Sequence, residues 1–367
     1  MTNRRRKSTN QKDLTSRYAA GELDEALDRD QPTGLRARKA RQQKIEETAL
    51  LRAANTEGAA EIHALPVGMV AQVYSLFILV EHATGPRVCV VRKTLSKVID
   101  SQPVVGDFVR FRDIENRDES GRAEAIIEEV LPRQTVLARA DSFSGTHVQP
   151  IVANCQQMLI VVSLLRPEVK WGLVDRMVVA ARSGGLLPVI CLNKVDLAEG
   201  DSPGDDGDTA VRTVATTATA VAARVEADAV LAHYRLLGIQ TLRTSVPRNI
   251  EIDRLAALLS GRSTVLAGHS GVGKSSLIAA AEPGLDLRIG AISNYTDKGR
   301  HTTTSARYYP LKSGGFVVDT PGVKQFGLWG VTRDTLADYY PDLRDGTAPP
   351  WRVASFERLS QSLDAKS

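Results

Sequence analysis

Gly268-His269-Ser270-Gly271-Val272-Gly273-Lys274-Ser275 fits the pattern G-x-x-x-x-G-K-[ST], and its surroundings fit too. Ser263-Thr264-Val265-Leu266-Ala267 before it reads as a short buried strand, and Ser276-Leu277-Ile278-Ala279-Ala280-Ala281 after it as a helix. In such a loop glycines let successive backbone N–H groups turn inward around a phosphate. The helix N-terminus adds partial positive charge, Lys274 a mobile full charge for the β- and γ-phosphates, and Ser275 a hydroxyl for Mg²⁺. His269 is expected to shape the loop. A glycine-rich turn that only caps a helix is the blander reading, and the strand and helix flanks count against it.

Two shorter motifs also stand at strand ends. Leu187 to Leu192 reads as a strand running into Asn193-Lys194-Val195-Asp196, and Phe316-Val317-Val318 runs into Asp319-Thr320-Pro321-Gly322. Each is weak alone; with the phosphate loop they describe one pocket. Asp196 can accept two hydrogen bonds from guanine N1–H and the 2-amino group. Adenine has no such donor pair, and an unpaired buried carboxylate would make ATP costly, so the expected base is guanine. Asn193 would fix its loop and reach the base edge, Lys194 would lie along the base, and the Ser245 segment would offer backbone N–H to O6. Asp319 would hold Mg²⁺ through water, and the Gly322 N–H would sense the γ-phosphate.

Around these motifs the chain changes character several times. Its 367 residues, 43% hydrophobic and 25% charged, leave room for two or three globular domains. Residues 1–60 read as a basic extension: 13 Lys/Arg stand against 8 Asp/Glu in residues 1–52, enough to permit a nucleic-acid partner. Between 63 and 139, five short β-rich runs punctuated by Gly, Pro and Asp suit a small oligonucleotide-binding (OB) barrel, with Lys93, Lys97, Arg110, Arg112 and Arg133 making its surface somewhat basic. Residues 140–330 alternate strands with helices, the pattern of a doubly wound, mostly parallel sheet whose ligands sit at the carboxyl ends of strands. An Asp-, Gly-, Ala- and Thr-rich stretch, 199–228, reads as an acidic surface insertion, and residues 331–367 as a short, polar, mostly helical segment. Cys89, Cys155 and Cys191 each lie in an apolar run and read as buried thiols in a reducing cytoplasm. No run reaches the roughly 18 apolar residues of a membrane span, so no membrane partner is expected.

Motif order is the decisive feature, because Asn193-Lys194-Val195-Asp196 precedes the phosphate loop where ordinary GTPases have it afterwards. That is a circular permutation. With a barrel in front, and Gly299-Arg300-His301-Thr302-Thr303-Thr304 and Asp319-Thr320-Pro321-Gly322-Val323 behind, the chain closely resembles the ribosome small subunit-dependent GTPase A family (RsgA, YjeQ or EngC) over about residues 65–330. The resemblance implies a multidomain α/β protein: an OB barrel, a circularly permuted P-loop GTPase domain and a C-terminal module. It implies hydrolysis of GTP to GDP and phosphate, stimulated by the small ribosomal subunit during its late maturation, with rRNA as a partner. A cytoplasmic monomer is expected.

Two departures stand out. The family's C-terminal module binds zinc through three cysteines and a histidine, yet no Cys follows Cys191 and no His follows His301, so zinc is expected to be absent. Asn154-Cys155-Gln156-Gln157 stands where the family usually has Asn-Val-Asp-Gln. As for catalysis, Val323 occupies the position where many GTPases carry a water-orienting glutamine, so slow intrinsic turnover is expected. His301 is the candidate to orient water, in a loop expected to order around Mg²⁺ through one of Thr302, Thr303 or Thr304, with Thr303 favoured. The competing reading is an adaptor that binds RNA or the ribosome according to its GTP state, with little turnover.

Overall fold

The computed structural model describes residues 61–74, 77–91, 102–117, 123–140, 148–198, 210–285, 306–320, 328 and 330–364. They divide into two compact units between Arg133 and Gln134.

In the first unit, β1 (Val67–Val73), β2 (Ile78–Glu81), β3 (Arg87–Val91), β4 (Phe108–Arg117) and β5 (Ala123–Val130) close into a barrel in the order β1-β2-β3-β5-β4. β4 returns to pair with β1, and only β3 and β5 run parallel. This is the five-stranded OB arrangement. Alternation builds its core: Val70, Ile78, Val80, Cys89, Val109, Phe111, Ala125 and Ile127 all point inward. At Gly68 a Cβ would lie 2.4 Å from Val80 Cγ1, so β1 and β2 approach this closely only because that residue has none. The basic surface expected from sequence needs correction. Arg110 pairs with Glu129, Arg112 with Glu128 and Glu61, and Arg133 with the buried Asp107, so three of the five cations are locally neutralised. Lys93 and Lys97 lie outside the described residues.

The second unit begins with an antiparallel pair, β6 (Val136–Ala140) and β7 (Val148–Ala153). Its main sheet comprises β8 (Gln157–Ser163), β9 (Leu187–Asn193), β10 (Gln240–Thr244), β11 (Arg262–Ala267), β12 (Arg307–Pro310) and β13 (Gly315–Asp319) in the order β10-β9-β8-β11-β13-β12. Every neighbouring pair is parallel except β12–β13. β8 is buried at all seven positions, as a strand covered on both faces must be. Helix α1 (Trp171–Ser183) packs on β8 and β9. α3 (Ile252–Leu259) and α4 (Lys274–Ala281) bring Leu255, Leu259, Leu277 and Ile278 onto Leu159, Val161, Leu242 and Val317. The neutral Gln156 also finds a role: its Oε1 accepts from the Ser263 N–H over 3.0 Å, and its own N–H donates to Ser263 Oγ over 3.0 Å. That exchange pins the start of β11 beside β8 without a carboxylate.

Within the stretch expected to be an acidic surface insertion, residues 210–228 are helical. α2 spans Ala210–Leu236, 27 residues, and buries Ala220, Ala227, Val230, Leu231 and Tyr234 on one face. Alanine, the best helix former, dominates where large apolar residues are scarce, so propensity replaces periodicity as the signal. The segment expected to be mostly helical opens with two short helices, α5 (Arg333–Leu336) and α6 (Pro341–Arg344), with a 3₁₀ turn at Ala337–Tyr339 between them. Pro341 cannot continue the preceding helix but starts the next. α7 (Pro350–Asp364) follows.

These last helices are fastened to the sheet domain through a fully buried arginine. Arg352 Nε donates to Asp342 Oδ2 over 2.9 Å, its Nη1 donates to Asp175 of α1, and its guanidinium lies 4.1 Å from the Tyr340 ring centroid. His233 Nε2 reaches the same Asp342 oxygen at 2.8 Å, and the Tyr234 hydroxyl donates to Asp175 over 2.7 Å. Burial raises the Asp175 carboxyl above the usual range despite Arg352. Burial also pushes Asp342 upward, but its bonds to His233 and Arg352 outweigh that and hold it below the usual range.

Candidate nucleotide site

The site forms where β8 separates two directions of chain travel: β9 and β10 are added on one side of it, β11 and β13 on the other. Crevices at such switch points, outside the carboxyl ends of the strands, are where doubly wound sheets bind ligands. Register then fixes the neighbours. Ser163 and Thr244 flank Asn193, and Asp319 lies beside Leu266, two residues before the phosphate loop.

Gly268 (φ +136°), Gly271 (+83°) and Gly273 (+95°) give that loop its course. A Cβ at Gly268 would meet the Val161 carbonyl oxygen at 2.1 Å. His269 and Ser270 are exposed, Val272 is buried in the core as an anchor, and Ser275 is exposed in the first turn of α4. Lys274 Nζ donates to the carbonyls of Gly268 (2.8 Å) and His269 (3.0 Å), folded over its own loop. Burial depresses the Lys274 ammonium, with Asp319 opposing the shift.

The second motif clasps the first. Asn193 Nδ2 donates to the Val272 carbonyl over 2.9 Å, and Lys194 Nζ to the Gly271 carbonyl over 2.6 Å. Asn193 is itself held by Thr244, whose hydroxyl donates to Asn193 Oδ1 over 3.1 Å. Thr244 had no place in the sequence reading; its signal was its position at the end of a strand, one residue before Ser245. Ser245 is buried, and its own N–H donates to the Ile250 carbonyl over 3.3 Å, closing a turn across residues 245–250. Asp196 opens a 3₁₀ turn at Val195–Ala198, and its Oδ1 is buried without a hydrogen-bond partner among the described residues.

Asp319 Oδ1 is likewise buried and unpartnered among the described residues. Burial raises this carboxyl, while Lys274, Arg307 and the Thr320 N–H draw it back. A dehydrated carboxylate oxygen beside the phosphate loop fits Mg²⁺, which takes one or two protein oxygens and completes its shell with water and phosphate; Ser275 and Asp319 are the described residues that would hold it. Among the described residues, no group of three or more His, Cys, Asp or Glu gathers as a metal site, and no helix is long and apolar enough to cross a membrane. His301, Thr303 and Gly322 lie outside the described residues.

Comparison with known proteins agrees with this geometry. A family model for the RsgA GTPase matches residues 130–329. The small ribosomal subunit biogenesis GTPase RsgA of Actinobacillus succinogenes is 34% identical over 278 residues, 76% of this chain and 71% of its own length. That of Histophilus somni strain 2336 is 33% identical over the same coverage. Two solved structures share the fold. YjeQ from Thermotoga maritima has a TM-score of 0.55 and 24% identity, covering 81% of this chain and 98% of its own. YloQ, described as a circularly permuted GTPase, has a TM-score of 0.57 and 20% identity, covering 83% and 97%.

Proposed function

The chain belongs to the RsgA GTPase family, and from that premise we propose that it hydrolyses GTP to GDP and phosphate in maturation of the small ribosomal subunit. One observation carries the reading from the structure's side. Asn193 and Lys194 hold the carbonyls of Val272 and Gly271, so the base-selecting and phosphate-binding motifs form one cradle despite their reversed order.

Each residue then has a task. Asp196 selects guanine through the carboxylate oxygen that has no partner among the described residues. Loop N–H groups and the α4 N-terminus receive the phosphates, and Lys274 exchanges the carbonyls of Gly268 and His269 for phosphate oxygens. Ser275 and Asp319 would hold Mg²⁺, with Thr303 completing the set, and the ion would supply positive charge to offset that of the phosphates. His301 orients the attacking water, a task Val323 has no polar group to perform, and slow intrinsic turnover is raised by the small subunit. The partner surface includes rRNA. With Arg110, Arg112 and Arg133 ion-paired on the barrel, the excess charge of residues 1–60 is assigned a share of the phosphate contacts.

The test is steady-state GTP turnover with and without purified small subunits, alongside co-sedimentation in GDP and in a non-hydrolysable GTP analogue. Strong stimulation and preferential binding in the GTP state are expected. Binding without stimulated turnover would favour the adaptor reading instead.

A further inference from the structure

The connection that leaves β8 crosses the phosphate loop, and neither nucleotide motif accounts for the residue at its crest. Arg166 has φ +56°, in the left-handed region that asparagine and glycine enter readily and arginine seldom does. Its carbonyl accepts from Lys194 Nζ over 2.7 Å, and the same ammonium donates to the Gly271 carbonyl over 2.6 Å. Pro167 closes the remaining gap, its Cδ 4.0 Å from where a Gly271 Cβ would stand. Lys194 is also left-handed, at φ +60°. Two strained basic residues thus meet beside the phosphate loop, and strain of this kind persists at ligand clamps where surrounding contacts enforce it.

The backbone alone does not explain the choice of residue. A carbonyl for Lys194 would be present whatever stood here, and glycine would take this φ at lower cost. What arginine adds is a permanent charge and five N–H donors in a rigid fork. That side chain is exposed and makes no hydrogen bond or ion pair with any described residue. Within residues 268–275 the phosphate loop carries a single full charge, that of Lys274.

Resting on the GTPase reading above, we propose that Arg166 is a further nucleotide-binding residue, its guanidinium pairing with the diphosphate of bound GDP or GTP. It adds a second positive charge to that of Lys274 and tunes affinity for polyphosphate rather than for the base. A charge-assisted contact of this kind is the stronger class of hydrogen bond. Its loss should cost about tenfold in affinity.

The experiment uses the full chain and competition against a fluorescent GDP, with GDP, GTP and GMP as competitors, for wild type, Arg166→Ala, Arg166→Lys and Arg166→Gly. Arg166→Ala is expected to weaken GDP and GTP about tenfold, to leave GMP unchanged, and to lose its effect as salt rises. Arg166→Lys should recover part of the loss. Arg166→Gly, which relieves the backbone, should bind as weakly as Arg166→Ala, separating charge from strain. Unchanged GDP and GTP affinity in Arg166→Ala would overturn the inference and free the side chain for another anion such as an RNA phosphate. An equal loss for GMP would overturn it too, since the contact would then not involve the diphosphate. A wild-type chain that bound no GDP would overturn the GTPase reading itself, an outcome visible before any variant is compared.

Discussion

Gly273 and Asn193 stand so close that a Cβ on the glycine would lie 2.5 Å from Asn193 Nδ2. The two residues belong to different motifs, and their approach sets how the base loop meets the phosphate loop. Gly273→Ala must push Asn193 off the Val272 carbonyl or displace the loop, at φ +95° where alanine is also strained. Overpacking of this kind costs about 1–3 kcal/mol, which in binding is roughly five- to 150-fold. Isothermal titration with GDP should show that loss; wild-type affinity would mean the loops are not jammed together.

Thr244→Val tests the support behind Asn193. The substitution keeps shape but removes the hydroxyl that donates to Asn193 Oδ1, leaving a buried acceptor unmet at a cost of about 1–3 kcal/mol. Lower GDP affinity and a lower Tm are expected together, with Thr244→Ser restoring both. An unchanged titration would relieve Thr244 of any part in the site.

Arg352→Met tests the buried ion network. It strands Asp175 and Asp342 without their counter-ion, at a cost of about 3–5 kcal/mol, a fall in Tm of roughly 10 °C for a unit of this size. The pH dependence has a definite sign. In wild type, Asp342 sits below its usual value, so its contribution is present above that value and is lost as pH falls through the lowered one. Asp175 sits above its usual value, so its burden is complete once pH has risen past the raised one. Without Arg352 both carboxyls rise, and protonation then relieves both. Differential scanning calorimetry should therefore find the variant's Tm deficit greatest near neutrality and smaller toward pH 4; a deficit growing with acid would contradict the assignment.

That network also marks where sequence reading stopped. The barrel strands and the phosphate loop were legible because each carries its signal locally: alternation in β1–β5, and glycines between a strand and a helix at 268–273. Arg352, Asp342, Asp175 and His233 are spread over four helices with no local pattern linking them; only their packing makes them a core. β12 escaped for the opposite reason. It is a four-residue edge strand ending in Pro310, and an edge tolerates a residue that a central strand would reject. In α2, Ala220 and Ala227 do the burying that leucines usually do, so the helix lacked the large apolar stripe that periodicity detects.

Asp196→Asn tests base selection most directly. The wild-type carboxylate can accept two hydrogen bonds, and its Oδ1 is buried with no described partner, so a base that offers no donor pair leaves it dehydrated and unpaid. An amide presents one acceptor and one donor instead. Against guanine the donor faces the 2-amino group, two like partners opposed; against xanthine it faces a carbonyl and bonds. Xanthosine diphosphate should therefore gain affinity in the variant while GDP loses about a hundredfold, a swing built on the roughly 1–3 kcal/mol that each unmet buried group costs. Both changes should survive in EDTA, because the base pocket lies apart from Asp319 and Ser275. If GDP and xanthosine diphosphate weakened alike, Asp196 would be holding its loop together rather than reading the base.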